Sequence, residues 1–338
     1  MTELSSRALV PSPGHGLNLL LSIFLLLLTL GVTAQSISVY PGLLFTELVL
    51  LLVPVLMACR YLGLPVRSTL MLAPGPPGAG LAAAGFGMLA FIMVLALTMP
   101  VLVMVVMAGG SYPGLPLELN TWSQFLAAIL TGALAAPICE ELLFRGFLMR
   151  SLSCFGPHAA VWVSAGLFGL FHMDPVRFVP TMALGVVYGY LAAGSGSVRG
   201  PIIAHAANNG LALSLAFARN RAPAGEVRVL TGETLRQDVG RALAEQGSVL
   251  PAGLSVDSVL LGAAAIMLVA GLVLVFITGI ALCAIAGRPG ERWQILVPEK
   301  GQRQLLRKLF AVPAFWGTGL IGLAIMGLAL KSIFAPPA

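Results

Sequence analysis

The chain has 338 residues, of which 58% are hydrophobic and 9% charged, and its net charge is +6. A soluble domain carries about 25% charged residues, so an ordinary water-soluble core is excluded and an all-α, polytopic membrane helix bundle of about eight or nine transmembrane helices is expected. The positive excess sets orientation and attracts anionic headgroups of the lipid bilayer, and it offers no basis for nucleic-acid binding.

Residues 1–16 are polar, and Leu17 to Thr33 is a leucine-rich apolar segment. Val32-Thr33-Ala34 resembles a signal-peptide cleavage site, but the polytopic remainder favours a retained first helix. A second span runs from Leu43 to Cys59, with Glu47 expected to reach the interface. Arg60, Arg67 and the breaker-rich run from Pro74 to Gly78 follow. The third span covers Leu81 to Ala108. The fourth, Gln124 to Leu152, carries Cys139-Glu140-Glu141-Leu142-Leu143-Phe144-Arg145. Gly156-Pro157 breaks the chain before a short fifth span, His158 to Phe171, which ends at His172. Asp174-Pro175 then turns the chain into a sixth span, Phe178 to Ala193. Gly194 to Ser197 reads as a flexible link to the seventh, Pro201 to Phe217, which contains His205 and Asn209.

The long polar region, residues 218–257, holds an amphipathic pattern from Thr231 to Gln246 in which Leu235, Val239 and Leu243 recur every four residues, as in a solvated or interfacial helix. Two further spans, Ser258 to Ala286 and Val312 to Lys331, flank a basic loop at 287–311. The Lys/Arg bias of the loops puts the N-terminus inside, although five arginines in 218–257 count against this. The four cysteines form no CxxC pair and read as small buried hydrophobes, with neither a disulfide framework nor a thiolate metal site suggested. His15 and His158 read as solvated, and Asp174 as a turn residue.

An ionised side chain at mid-membrane costs roughly 2.5–3.5 kcal/mol on insertion scales, so adjacent acids inside a span are unlikely passengers. Glu141 and Arg145 are spaced i, i+4 with the acid first, the favourable order for an ion pair. Glu140 points about 100° away and is left less compensated, which suits a general base. Glu140 lies about 22 Å and His172 about 25 Å from the turn between their helices, so the two can meet at one depth. His205 and Asn209 share a helix face and can donate to one oxyanion, while Asn208 points elsewhere. His205 is only about 12 Å from the link near Ser197, so convergence requires tilted helices or a link that dips inward. In isolation each of these features also reads as a helix-fastening polar contact.

Glu-Glu-x-x-x-Arg, Phe-x-x-x-His and His-x-x-x-Asn, in this order on successive membrane helices and followed at the first motif by Phe144 to Gly146, resemble the CPBP family. These are the CAAX-processing and bacteriocin-processing intramembrane proteases, also called the Abi family. The resemblance covers about Trp122 to Phe217. It implies an endopeptidase in a bacterial inner membrane with a buried polar cavity, acting on a protein or peptide substrate near the C-terminus of a lipidated or membrane-associated protein. On that resemblance Glu140 and His172 activate water, His205 and Asn209 stabilise the oxyanion, and Glu141 and Arg145 support them. A catalytic Zn2+ held by Glu140, His172 and His205 is the alternative chemistry, although the chain lacks HExxH. The implied organisation is N-terminal helices at 1–120, a protease-like core at 121–218, a polar loop at 219–257 and C-terminal helices at 258–338. A non-catalytic scaffold or immunity-type protein, and a transporter using Glu140 and Glu141 as a proton relay, are the competing classes. Substrate identity and oligomeric state are not encoded in any motif.

Overall fold

The structure is a computed structural model of the chain. It describes residues 10–74, 79–112, 117, 119–221, 231–247, 250–251, 253–286 and 307–335. Most of the basic loop at 287–311 lies outside the described residues.

The chain is built of helices whose starts are written locally. Ser12 caps α1 (Pro13–Ile37): its hydroxyl accepts from the His15 amide, the His15 ring accepts from the Ser12 amide, and Pro13 occupies the first turn. His15 is therefore a capping residue. α2 (Val39–Tyr61) returns against α1 and is followed by a single turn, Val66–Thr69, and by α3 (Ala79–Met107). Thr121 and Gln124 form a capping box at the start of α4 (Trp122–Ser151). Gly156, at φ 87, closes α4 off, and Pro157 opens α5 (Pro157–Phe171). α6 (Phe178–Ser195) and α7 (Arg199–Asn220) follow, then the amphipathic α8 (Gly232–Glu245), α9 (Val256–Ala286) and α10 (Pro313–Ile333).

Among the described residues seven helices are long and apolar enough to cross a membrane: α1, α2, α3, α4, α6, α9 and α10. This differs from the expected eight or nine for physical reasons. α5 has 15 residues, so it rises only about 22 Å against a hydrocarbon core of about 30 Å. α7 is long enough, with 22 residues, but it carries Arg199, His205, Asn208, Asn209 and Arg219. It tolerates them because α3, α4 and α6 wall it in, so little of its surface needs to match lipid. Exposed Leu81, Leu89, Ile266, Leu272 and Leu328 make the outer surface apolar, as a bilayer requires.

α1, α2, α4, α5 and α10 share the largest core, in which Leu17, Leu20, Ile23, Phe24, Phe144 and Phe147 are fully enclosed. α5 and α6 form a closely packed pair, and α3 packs on α7 and α9. Without a water-driven hydrophobic effect between helices, close contact depends on small residues. A methyl group on Gly87 of α3 would collide with the backbone carbonyl of Ala204 on α7, the residue beside His205. Gly85, two residues earlier, faces open space. Gly87→Ala is expected to push α3 off α7 at a cost of about 1–3 kcal/mol, whereas Gly85→Ala leaves thermal unfolding of the detergent-purified protein unchanged or raises it slightly, since Ala is the better helix former. Equal melting of the two variants would contradict this packing.

The link between α6 and α7 is not a free linker. The Ser197 hydroxyl donates to the Ala73 carbonyl at 2.6 Å, the Val198 amide donates to Met71 O at 3.0 Å, and both residues are buried. The link is thus packed against the segment between α2 and α3 at the point where α7 begins. Cys59 and Cys139 are buried as expected, but Cys154 is exposed, because it lies past the end of α4 at the surface.

Candidate active site

Two π-helical turns, Ile129–Ala135 and Leu142–Leu148, flank the α-helical stretch Ala136–Glu141 within α4. Such wide turns change which residues share a face, and they occur frequently at functional sites. Glu140 and Glu141 end the α-helical stretch, and Arg145 lies in the second wide turn.

The pair expected from spacing forms. Arg145 Nη1 donates to Glu141 Oε1 at 2.9 Å, with the two side chains 1% and 0% exposed. Arg145 Nη2 reaches the Gly185 carbonyl on α6 at 3.3 Å, and its guanidinium lies over the Phe168 ring at 4.3 Å. Gly185 itself sits against α5, where an added Cβ would come within 2.8 Å of Ala165 Cα. One cation therefore ties α4, α5 and α6 together.

A contact that sequence spacing did not reveal completes the cluster. His205 Nδ1 lies 2.9 Å from Glu141 Oε1, the same oxygen that Arg145 holds. A carboxylate only accepts, so His205 Nδ1 carries the proton and Nε2 is turned toward Glu140, 4.0 Å from Glu140 Oε2. The imidazole is stacked on Tyr188 at 5.3 Å and edge-on to Phe168 at 6.0 Å. Arg145 fixes Glu141, Glu141 fixes the His205 ring, and His205 presents its free nitrogen to Glu140.

His172 sits at the C-terminal end of α5, one ring further out. Its Nδ1 is 2.9 Å from the Phe168 carbonyl, and its ring meets Phe168 edge-on at 4.8 Å. The carbonyl can only accept, so Nδ1 carries the proton and a neutral His172 offers Nε2 as an acceptor. Among the described residues it makes no ion pair with Glu140, whose near imidazole is His205. The turn behind it has Met173 at φ 54, and Asp174 accepts from the Val176 and Arg177 amides at 2.9 and 3.2 Å. Asp174 is thus a turn residue as expected, and it also accepts from the Tyr112 hydroxyl at 2.7 Å. Burial and that neighbouring carboxylate push the Tyr112 phenol above its ordinary range. His158 is exposed but not merely solvated: its Nδ1 meets the Tyr190 hydroxyl at 2.7 Å.

Asn209 is already partly engaged by the protein. Its Nδ2 donates to the Gly132 carbonyl in the first wide turn at 2.9 Å, and its Oδ1 accepts from Asn208 Nδ2 at 2.9 Å. The expectation that Asn208 points elsewhere is corrected: it is buried and turned back onto Asn209. Only the second N–H of Asn209 remains for a ligand.

Glu47 is a second correction. It was expected to reach the interface, yet it is 8% exposed, in the π-helical turn Thr46–Leu52 of α2 that packs on the Glu140 stretch of α4. It is close enough to Glu140 for the two carboxyl groups to interact electrostatically. The signal that could have found it is the one used for Glu140, an acid far from either end of an apolar span. Among the described residues, seven buried side-chain polar atoms lack a hydrogen-bond partner. Five belong to this neighbourhood: Glu47 Oε2, Glu140 Oε2, Glu141 Oε2, Tyr188 Oη and Asn208 Oδ1. Buried polar atoms are normally satisfied, so their concentration here marks the site. Glu47→Leu removes one such group and is expected to stabilise the protein by about 1–3 kcal/mol. Chemical denaturation checks this, because a carboxyl group at the interface would give a change near zero.

The residues do not fit a zinc site. Among the described residues no group of three or more His, Cys, Asp or Glu is arranged to hold a metal ion. The set Glu140, His172 and His205 is not among such groups.

Residues 122–211 match the family model described as type II CAAX prenyl endopeptidase Rce1-like. The matched segment contains Glu140, Glu141, Arg145, His172, His205 and Asn209, and it excludes Glu47 and Gly87. No curated protein and no solved structure matches the chain.

Proposed function

From a chain that carries an Rce1-like domain at residues 122–211, we propose an integral-membrane endopeptidase that cleaves near the C-terminus of a lipidated or membrane-associated protein. The observation that carries this reading is the buried line Arg145–Glu141–His205, which aims one imidazole nitrogen at the unpartnered carboxyl oxygen of Glu140.

The chemistry follows from those positions. The 4.0 Å separation of His205 Nε2 and Glu140 Oε2 is one that a single water can contact from both sides. Glu140 takes a proton from that water as its oxygen attacks the peptide carbonyl carbon. His172 Nε2, an acceptor in the neutral ring, helps to hold the water. The carbonyl π pair moves to oxygen, giving an oxyanion. In this role His205 is an imidazolium that has taken its second proton from solvent and keeps it through the cycle: Nδ1–H donates to Glu141 and Nε2–H to that oxyanion, with the remaining Asn209 N–H beside it. Collapse of the tetrahedral intermediate breaks the C–N bond. The proton held by Glu140 passes to the leaving nitrogen, which restores the base. Glu141 and Arg145 touch no reacting atom and act by positioning His205.

Detergent-purified wild type, reconstituted in bilayers, is expected to shorten prenylated C-terminal peptides at a single bond seen by mass spectrometry. Bilayers without the protein leave them intact. A panel of prenylated, acylated and unmodified membrane peptides all left whole by the wild type would defeat the reading.

A further inference from the structure

A cavity of about 230 Å³ lies away from this site, between the turn Val66–Thr69, the last turn of α4 and the start of α5. None of Glu140, Glu141, His172, His205 or Asn209 lines it. We propose that it binds a phosphate group, carried either by a phospholipid headgroup or by a soluble phosphate.

Three observations meet there. Arg67 and Arg150 both line the cavity, together with Ser68 and Ser153. Neither arginine belongs to an ion pair among the described residues, and Arg150 Nε is buried without a partner. Lys308 lies close enough to Cys154, next to Ser153, to add its charge. A guanidinium fork matches phosphate oxygens in geometry as well as charge, and a buried Nε–H without an acceptor is a donor waiting for one. The start of α5 contributes a positive helix end to the same wall.

The rest of the lining is apolar, with Met71 and Val161 among it. A small pocket lined by two arginines and by apolar side chains suits a headgroup phosphate with the first part of an acyl chain beside it. Its size is below that of ordinary small-molecule pockets, about 300–1,000 Å³, as expected for a headgroup rather than a whole ligand. It lies at the end of the helices that carries Arg60, Arg67, Arg150 and Arg199, the end that the positive-inside rule assigns to the anionic leaflet.

The test is native mass spectrometry of the full-length protein in detergent, titrated separately with phosphatidylglycerol, diacylglycerol and inorganic phosphate. Wild type is expected to retain phosphatidylglycerol but not diacylglycerol. Arg67→Leu and Arg150→Leu are each expected to weaken that retention about tenfold, the loss of one charge-assisted contact. Arg199→Leu, at the same end but outside the lining, leaves it unchanged. Retention of inorganic phosphate without lipid, lost in the same variants, supports the site and assigns a soluble source. Equal retention of phosphatidylglycerol and diacylglycerol, or undiminished binding by Arg67→Leu, overturns the proposal. Thermal melting verifies folding, and Arg67→Leu alters an exposed side chain, so it stays informative if Arg150→Leu fails to fold.

Discussion

Glu140→Gln is expected to lower turnover by about 10²–10⁴-fold with little change in KM. The two side chains have nearly the same shape, so the variant keeps the packing of α4 and loses only the ability to take a proton. Glu140 Oε2 makes no hydrogen bond among the protein groups, and no ion pair closer than the 4.0 Å to His205 holds it. Removing its charge therefore breaks no structural contact, and stability stays near that of the wild type. Steady-state cleavage of a reconstituted substrate measures the effect. A Glu140→Gln enzyme that turned over at close to the wild-type rate would move the base elsewhere.

Arg145→Met is expected to act through stability. It leaves Glu141, which has no exposed surface, with a charge that His205 alone must balance. Removing one member of a buried pair costs about 3–5 kcal/mol, because the remaining charge stays buried and uncompensated. The loss also frees the Gly185 carbonyl and uncovers the Phe168 face. The double variant Arg145→Met with Glu141→Gln is expected to recover much of the stability, since neutral replacements of a buried pair are often well tolerated. Its activity stays low, because His205 loses the carboxylate that orients it. Unfolding in denaturant, followed by tryptophan fluorescence, separates the three chains. A single variant as stable as the wild type would mean that Glu141 is neutral in the folded protein.

The local part of this site was readable from the chain. The four-residue step from Glu141 to Arg145 survives the wide turn, and the apolar spans fall close to the helices observed. The sequence also brought Glu140 and the α7 imidazole toward one place through their residue types. What it did not carry was the pairing. Glu141 and His205 are 64 positions apart, and their contact depends on how α7 crosses α4, which Gly87 and the buried link at Ser197 and Val198 determine. Depth counted along ideal helices put His172 opposite Glu140 and left His205 too shallow. In the structure His205 Nε2 lies 4.0 Å from Glu140 Oε2, so it is the depth counted for His205 that falls short. Asn209 shared a face with His205 as its spacing requires, but a carbonyl in a π-helical turn took its amide, and periodicity at 3.6 residues does not foresee such turns.

The wall that α2 and α3 build around the acids has a further consequence. Glu47 and Gly87 both lie upstream of the matched segment, so residues 122–211 alone do not enclose the buried acid cluster. Trimmed to that stretch, the polypeptide would turn Glu140 and His205 toward acyl tails. Two proteins with identical motif residues can thus surround Glu140 and His205 differently through a single change in their first three crossings.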